Sequence, residues 1–308
     1  MWEVRDALEY HRGMVCDEPR TSAFARAIEL TVRPGDVVLD LGTGTGLLAM
    51  LAARAGARKV YAVESARVAE LARRLVVANG LEAVVEVVEA VSDDVTLPER
   101  ADVLVSEILW NGGLGEGIVA SFADARARLL TPDARIVPAR METWAAPVQS
   151  PAAFQSVGGW PADLEGLDFS VVREVAGDAT FTHFFDEHEL LAPGAAVGAL
   201  DLTGPLDTTF AGEATFTAER DGDLHGLAAW FAADLAPGVR LSNAPPARGS
   251  WMHAYLPVRT PIRVAAGDAI HARVEVLTVD ELWQWSIEAG GAVREGSTLA
   301  AHVQHLRG

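Results

Sequence analysis

The sequence predicts an α/β domain built on a parallel sheet, followed by a domain of antiparallel strands. The length of 308 residues suits two domains rather than one. The first half alternates short apolar runs with Ala/Leu-rich segments, which is the pattern of a parallel α/β sheet. After about residue 139, apolar-polar alternation and turn clusters replace the helical periodicity. We therefore predict domains at 1–138 and 139–308, divided at Pro138.

The first domain is predicted to be Rossmann-like because its strands and helices alternate regularly. The predicted strands are 37–39, 60–63, 84–88, 103–105 and 136–137. The predicted helices are 47–55, 66–79 and 115–130, with a turn at 131–133. In the second domain, period-2 alternation predicts strands at 214–218, 271–279 and 282–288.

Composition narrows the classes of function. The formal charge of −18 disfavours a nucleic-acid partner and favours cationic substrates such as guanidinium compounds. Cys16 is the single cysteine, so we expect neither an internal disulfide nor a zinc cluster, and no metal is predicted. No apolar run reaches the roughly 18–20 residues that a membrane span needs. The N-terminus lacks the pattern of a signal peptide, so a cytoplasmic enzyme is expected.

A glycine turn follows the first predicted strand, in the sequence Asp40-Leu41-Gly42-Thr43-Gly44-Thr45-Gly46. Glycines allow a sharp turn and a close approach of the backbone to a ligand. The spacing D-x-G-x-G-x-G favours S-adenosylmethionine (SAM) over the dinucleotides of dehydrogenases. Glu64 ends the second strand, where a carboxylate can accept hydrogen bonds from ribose hydroxyls, and Ser92-Asp93 follows the third, where adenine is expected.

Two carboxylates, Glu107 and Glu116, flank a glycine-rich loop after the fourth strand. Two carboxylates in one pocket repel each other unless a cation lies between them. A planar guanidinium fits this position, because its donors match carboxylates two at a time. The pair therefore predicts a guanidinium acceptor whose terminal nitrogen is aimed at the sulfonium methyl group.

These motifs resemble those of the protein arginine methyltransferase family along most of the chain. The glycine turn, the second strand and the Glu107–Glu116 loop resemble the family's cofactor and double-glutamate motifs. The segments 130–140, 223–235 and 280–290 resemble strands of its β-barrel. The resemblance implies a Rossmann-like SAM-binding domain followed by a β-barrel domain. It also implies a head-to-tail homodimer through an arm near 151–167, with Phe154, Trp160 and Leu164 docking on the partner.

The N-terminal segment resembles the family's helix that folds over SAM. The resemblance implies that Arg20 pairs with the cofactor carboxylate, that His11 and Met14 line the transfer site, and that Trp251 forms a wall of the acceptor site. The predicted catalytic residues are Glu107 and Glu116. The predicted cofactor-binding residues are His11, Met14, Arg20, Asp40, Gly42, Gly44, Glu64, Ser92, Asp93 and Glu107. The predicted substrate-binding residues are Met14, Glu107, Glu116 and Trp251.

Two departures from the family pattern bear on the acceptor. Gly249-Ser250-Trp251 stands where the family usually has Thr-His-Trp, so Ser250 replaces a histidine. Arg5 stands where the family's first helix carries a tyrosine. The composition, rich in Ala, Val and Arg and poor in Lys, suggests a GC-rich bacterial source, where such members of the family act in natural-product biosynthesis.

The predicted reaction is therefore methylation of a terminal guanidino nitrogen of free L-arginine or a small arginine-containing metabolite. Arg140 and Arg248 are candidates for binding the α-carboxylate of a free amino acid. Three alternatives stay open: arginine in a peptide or protein as substrate, an inactive SAM-binding scaffold, and a dehydrogenase. The order of methylation, whether mono-, symmetric or asymmetric, is not indicated by the sequence.

Overall fold

The computed structural model describes residues 4–298, with the side chains of residues 4–7, 173 and 174 excepted. The helices are α1 (Val4–Val15), α2 (Glu18–Thr31), α3 (Leu47–Arg54), α4 (Val68–Ala78), α5 (Ile118–Arg128), α6 (Pro151–Gly158) and α7 (Ser170–Ala176). The strands of the first half are β1 (Val37–Leu41), β2 (Lys59–Glu64), β3 (Val85–Glu89), β4 (Ala101–Ser106) and β5 (Leu130–Val137).

Twelve further strands follow among the described residues. They are β6 (Arg140–Val148), β7 (Asp163–Leu164), β8 (Leu167–Asp168), β9 (Phe181–His183), β10 (Ala195–Asp201), β11 (Thr209–Thr217), β12 (Gly222–Ala236), β13 (Val239–Ser242), β14 (His253–Val264), β15 (Ala269–Leu277), β16 (Leu282–Ala289) and β17 (Ala292–Ser297). Short 3₁₀ turns occur at Ser92–Asp94 and Glu187–Glu189.

The first five strands form a parallel sheet in the order β3-β2-β1-β4-β5. Strands β2 and β3 lie on one side of β1, and β4 and β5 lie on the other. The boundary between β1 and β4 is therefore the topological switch point of the sheet, where ligands bind in folds of this type. Leu41 pairs with Ser106 in the register of these strands, and the Ser106 hydroxyl donates a 2.7 Å hydrogen bond to the Leu41 carbonyl. The glycine turn and the loop from Glu107 to Glu116, which we call the double-glutamate loop, therefore leave the sheet side by side.

The segment around residue 131 differs from the prediction. Helix α5 ends at Arg128, and β5 already begins at Leu130, so the predicted turn at 131–133 lies within a strand. Leu130 pairs with Ala101, and the next pair joins Arg135 to Val103. The turn-forming residues occupy this break in register, where the extra chain length bulges out of the ladder.

The second half forms two antiparallel sheets. One has the order β10-β6-β12-β14-β9, with β13 paired to β12, and the other has the order β11-β15-β16-β17. The predicted class, a Rossmann-like domain joined to antiparallel β structure, is confirmed. Within residues 4–298 the strands of this half are hydrogen-bonded as these separate sheets, and a small hairpin, β7-β8, stands apart.

The segment predicted to be an arm begins with α6, whose first turn is capped by the Ser150 hydroxyl. Phe154 stacks on His225 of β12 at 4.8 Å, so this side chain packs within its own chain. Trp160 and Leu164 lie farther along, and 45% and 48% of their surfaces are exposed. The apolar surface of the segment is therefore concentrated in its second half.

Among the residues that the structure describes, the longest helix is α2, with 14 residues. No helix in this part of the chain has both the length and the apolar character of a membrane span.

Candidate active site

The glycine turn joins β1 to α3 at the switch point of the sheet. Gly42 and Gly44 adopt φ values of 70° and 56°, which favour glycine because it has no Cβ. The two carboxylate oxygens of Glu64, at the end of β2, accept hydrogen bonds from the backbone N–H groups of Gly44 (2.9 Å) and Ala66 (2.8 Å). A carboxylate has about four acceptor positions, so Glu64 keeps capacity for a ligand.

Helix α1 lies over this turn. A Cβ on Gly44 would come within 3.2 Å of the His11 ring, so the glycine permits the close approach of the helix. Burial lowers the pKa of His11 below its ordinary value, with Glu64 opposing this effect, so the neutral imidazole is favoured. Met14 follows His11 at helical spacing and faces the same cavity.

A cavity of about 250 Å³ lies between α1, the glycine turn and the double-glutamate loop. Eight of the residues predicted for the site line it: His11, Met14, Arg20, Gly42, Gly44, Glu64, Glu107 and Glu116. We call it the glycine-turn cavity.

Four other predicted site residues lie elsewhere. Asp40 is fully buried behind the turn, where the Thr43 hydroxyl donates a hydrogen bond to its carboxyl group. Ser92 and Asp93 belong to the 3₁₀ turn after β3 and do not line the glycine-turn cavity. Trp251 lines a neighbouring cleft. Their predicted ligand contacts therefore stay predictions.

Glu107 pairs with Arg20, whose Nε lies 2.8 Å from Oε2 and whose terminal nitrogen donates to the same oxygen. Only 5% of the Glu107 side chain is exposed. Burial raises the pKa of Glu107 above its ordinary value, although the charge of Arg20 opposes this. Arg20 also donates a 3.0 Å hydrogen bond to the Met14 carbonyl, which ties α2 to the end of α1. In this arrangement a guanidinium group already occupies one face of Glu107.

Glu116 closes the same loop with an unusual backbone conformation. Its φ of 53° is rarely adopted by a side-chain-bearing residue, and such strain is common where a structure orients a functional group. Burial, followed by the charges of Glu107 and Glu281, raises the pKa of Glu116 to about 7. The Glu116 side chain is nevertheless exposed, so water moderates this rise in its pKa.

Three side chains of the second half hold the double-glutamate loop by its carbonyl oxygens. Thr143 donates to the carbonyl of Gly112 at 3.1 Å, Asn243 to that of Asn111 at 2.9 Å, and the Trp251 indole to that of Leu109 at 2.8 Å. The loop is thus bound to both halves of the chain, and its glutamates depend on packing between them.

A second cavity, of about 550 Å³, lies between the start of α2 and the 241–251 segment. We call it the interdomain cleft. Arg20 and Trp251 line it, with the guanidinium carbon 5.6 Å from the ring centroid. Arg20 also lines the glycine-turn cavity, so this residue borders both cavities.

Ser250, which stands where the family has histidine, contacts the first turn of α2. Its backbone N–H and hydroxyl donate to one oxygen of Asp17 at 2.6 and 2.8 Å, and the other oxygen caps the Arg20 N–H. His253, three residues farther on, is fully buried in β14, and its Nδ1 accepts a hydrogen bond from the Phe185 N–H. It therefore does not replace the missing family histidine at the cleft.

The two arginines considered for an α-carboxylate differ in position. Arg248 lines the interdomain cleft, where it pairs with Asp186 and lies 5.0 Å from the Phe184 ring. Arg140 pairs instead with Glu142 on its own strand and does not line either cavity.

Sequence reasoning missed several residues of the site. Tyr10 lines the glycine-turn cavity, and burial together with the charges of Glu116 and Glu107 raises its pKa. The sequence signal for Tyr10 is its position directly before His11, a residue already predicted to lie at the site. Asn243 and Glu281 had no local signal, because their contacts with the double-glutamate loop span more than 130 residues of sequence.

The chain matches two family models. Residues 17–138 match that of the ribosomal protein L11 methyltransferase, and residues 140–283 match that of the arginine methyltransferase oligomerization subdomain. An arginine N(omega)-methyltransferase of Streptomyces achromogenes is 34% identical over 88% of this chain and 76% of the relative. The rice protein arginine N-methyltransferase PRMT10 is 43% identical over 47% of this chain and 39% of its own length.

Solved structures agree in fold. A chain of the Trypanosoma brucei PRMT1 enzyme-prozyme complex with AdoHcy matches with a TM-score of 0.84 and 24% identity, covering 93% of this chain and 97% of that chain. Arabidopsis thaliana protein arginine methyltransferase 10 matches with a TM-score of 0.78 and 24% identity, covering 95% and 99%. With the Streptomyces relative, these findings show that the chain belongs to the SAM-dependent protein arginine methyltransferase family and is an arginine N-methyltransferase.

Proposed function

We propose that this methyltransferase transfers a methyl group from SAM to a terminal guanidino nitrogen of free L-arginine or a small arginine-containing metabolite. The observation that carries the proposal is the pair Glu107 and Glu116, which lines the same cavity as the glycine turn. Two carboxylates beside a cofactor turn suit a guanidinium acceptor better than any neutral or anionic one.

The residues of the glycine-turn cavity fit SAM. Glu64 has free acceptor positions for ribose hydroxyls, and a Cβ on Gly42 or Gly44 would crowd Ile108 or His11 at 2.7 and 3.2 Å. Arg20 borders the cavity and supplies the cation that the carboxylate of SAM requires. When bound there, SAM supplies an electrophilic methyl group on a positively charged sulfur.

The glutamates bind, orient and deprotonate in this proposal. Glu107 and Glu116 each accept hydrogen bonds from the guanidinium, which fixes one terminal nitrogen toward the methyl group and concentrates positive charge on the others. Because both the acceptor and its methylated product are cations, one proton is released in each turnover. Glu116 takes this proton, since its raised pKa brings it closer to neutrality than that of an ordinary carboxylate.

The interdomain cleft supports a small acceptor. It offers a cation, Arg248, and two carboxylates, Asp17 and Glu18, to the α-carboxylate and α-amine of an amino acid. Arg248 is exposed and paired with Asp186, so an incoming carboxylate competes for it at modest cost. The Streptomyces relative is an arginine N(omega)-methyltransferase, which agrees with this choice.

We further propose that the domains 1–138 and 139–308 assemble as a head-to-tail homodimer through the 151–167 arm. The exposed apolar surface of Trp160 and Leu164 supports this assembly, as does exposed apolar surface on the first domain at Leu30 and Val77. The family model matched by residues 140–283 is described as an oligomerization subdomain, which agrees.

The substrate is tested by incubating the purified protein with SAM and either free L-arginine or an arginine-containing peptide. Mass spectrometry then follows the gain of CH₂ units on each acceptor. We expect methylated free arginine, with fragments that place the methyl on a guanidino nitrogen. Methylation of the peptide alone would refute the small-molecule proposal and favour the peptide or protein alternative.

Glu107→Gln tests the role of the Glu107 carboxylate, because glutamine preserves the shape of the side chain and removes its negative charge. We expect turnover to fall by about 100-fold or more while S-adenosylhomocysteine still binds in calorimetry. If wild-type turnover persists in this variant, Glu107 does not hold the acceptor. If neither acceptor is methylated by the wild type, the inactive scaffold becomes the better description.

A further inference from the structure

Among the described residues, the double-glutamate loop and the residue that follows it form hydrogen bonds with the second domain, and one of these differs in kind from the others. Three contacts are neutral donors to carbonyl oxygens, from Thr143, Asn243 and Trp251. The fourth is a carboxylate, Glu281, which accepts a hydrogen bond from the Gly117 N–H. Gly117 directly follows Glu116, so this contact acts on the peptide next to the second glutamate.

Gly117 is the N-cap residue of α5 and has no side chain to cap the helix. The first N–H groups of a helix lack intrahelical partners, and a carboxylate is the favoured partner there because of the helix dipole. Glu281 therefore supplies from the second domain an acceptor for the backbone N–H of the N-cap residue, as the glutamate of a capping box does. Gly117 joins Glu116, which lines the glycine-turn cavity, to the first residue of α5.

Glu281 is itself held in a defined conformation. Its φ is 54°, in the same left-handed region as that of Glu116, within the hairpin that joins β15 to β16. Two residues farther on, the buried Trp283 ring packs 5.2 Å from the Trp110 ring of the loop. A Cβ on Gly112 would lie 2.8 Å from this tryptophan. The hairpin thus contacts the loop at Trp110 and Gly112 and also contacts Gly117, the residue that follows the loop.

We propose that Glu281 is a positioning residue for methyl transfer, which caps α5 across the domain boundary and thereby holds Glu116 against the acceptor guanidinium. The proposal rests on the function proposed above, because it requires Glu116 to bind the acceptor. The negative charge of Glu281 also contributes to raising the pKa of Glu116. The groups whose charges act on Glu116 are Glu107 on its own loop and Glu281 on the hairpin, and Tyr10 on α1 is coupled to it. His11, Arg20 and Glu64 line the same cavity.

The test compares Glu281→Ala, Glu281→Gln and the wild type in kcat, KM and the pH dependence of kcat/KM for the methyl acceptor. Alanine removes the cap, so we expect kcat to fall on the order of 10- to 100-fold, with binding of S-adenosylhomocysteine unchanged. Glutamine keeps an acceptor oxygen and should restore most of kcat. Since glutamine lacks the charge, it should also move the acid limb of the profile to lower pH by about half a unit.

Asp280→Ala is the matched control, because Asp280 is an exposed acid in the same hairpin and has no hydrogen bond to α5 among those the structure describes. It should behave as the wild type. A Glu281→Ala variant with wild-type kcat and an unshifted profile overturns the inference. So does equal loss in the alanine and glutamine variants, because the cap would then not be the cause. Lack of wild-type activity on every arginine acceptor would instead contradict the proposed function.

Discussion

At the scale of single residues, the surroundings decide what each carboxyl group of the site can do. Glu64 accepts two backbone N–H groups and still faces the glycine-turn cavity. Glu107 is buried against a guanidinium, and Glu116 is crowded by other carboxylates. Asp40 has the same chemistry but lies behind the turn with no exposed surface. Sequence motifs alone assign all four acids to the site and do not distinguish Asp40, which lies behind it.

The first prediction concerns Asp40 and the pH dependence of stability. Burial raises its pKa from 3.8 to about 7, with the Thr43 hydrogen bond opposing the rise. Between about pH 4 and pH 7 the folded protein therefore binds more protons than the unfolded chain, so the free energy of unfolding falls as pH rises. Each unit of pKa shift corresponds to about 1.4 kcal/mol, so the total is a few kcal/mol.

Asp40→Asn should remove this dependence. Urea unfolding at mildly acidic and mildly alkaline pH measures it, and the wild type should lose more stability than the variant between the two conditions. Equal losses would mean that Asp40 is ionised at both pH values in the folded protein.

At the scale of elements, helix α2 and the 249–251 segment are joined through Asp17. This residue caps the Arg20 N–H and accepts two hydrogen bonds from Ser250. Because α2 carries Arg20, the contact sets the position of a residue that borders both cavities. Serine thus keeps the helix and the 249–251 segment connected, although it cannot supply an imidazole.

The second prediction separates the two ends of this contact. Asp17→Ala removes the helix cap and both hydrogen bonds, so we expect a loss of about 1–2 kcal/mol in the free energy of unfolding and a raised KM for the acceptor. Ser250→Ala keeps the backbone N–H donor and should cost less than about 1 kcal/mol. Chemical denaturation and steady-state kinetics measure both effects. Equal losses would place the importance in the Ser250 hydroxyl rather than in the cap.

The third prediction tests how closely the hairpin packs on the double-glutamate loop. A Cβ on Gly112 would lie 2.8 Å from the buried Trp283 ring, so Gly112→Ala must displace the loop or the ring. We expect a loss of about 1–3 kcal/mol in stability and a larger fall in kcat than in cofactor affinity. Gly158→Ala is the control, because nothing lies within 4 Å of its Cβ position. Unchanged kcat in Gly112→Ala would show that the loop tolerates movement there.

At the scale of the whole molecule, net charge and exposed apolar surface have opposite effects on assembly. The chain has a formal charge of −18, which attracts cationic acceptors and opposes the close approach of two copies. A dimer of such a chain therefore needs apolar contact to offset repulsion. The exposed side chains of the arm supply apolar area in the region where the dimer contact is proposed.

The fourth prediction concerns assembly. Leu164→Asp adds a charge to the exposed arm, so we expect the proposed dimer to dissociate and methylation activity to fall with it. Val293→Asp makes the same change at a residue of β17 with 53% exposure and should leave assembly intact. Light scattering coupled to size-exclusion chromatography measures the mass of each variant. A wild-type protein that is monomeric at assay concentration refutes the dimer directly.

The sequence by itself predicted the class of fold, and it predicted that the glycine turn and the two glutamates lie at one site. Each depends on local patterns: alternating strands and helices, glycines at fixed spacing before a helix, and acids that follow apolar strands. The segment 131–133 marks the limit of such reasoning. Its Thr-Pro-Asp sequence predicts a turn, but pairing with β4 places it inside β5, because a bulge absorbs the extra residues.

Only the tertiary structure decided which of these residues meet. The strand order places β4 directly beside β1, so Glu107 leaves the sheet next to the glycine turn. Tertiary packing also places Asp40 behind the turn, Arg20 against Glu107, and Glu281 at the start of α5. The Arg20–Glu107 contact joins residues 87 positions apart, and the Gly117–Glu281 contact joins residues 164 positions apart. No local pattern encodes them, because they form when separate apolar surfaces pack together.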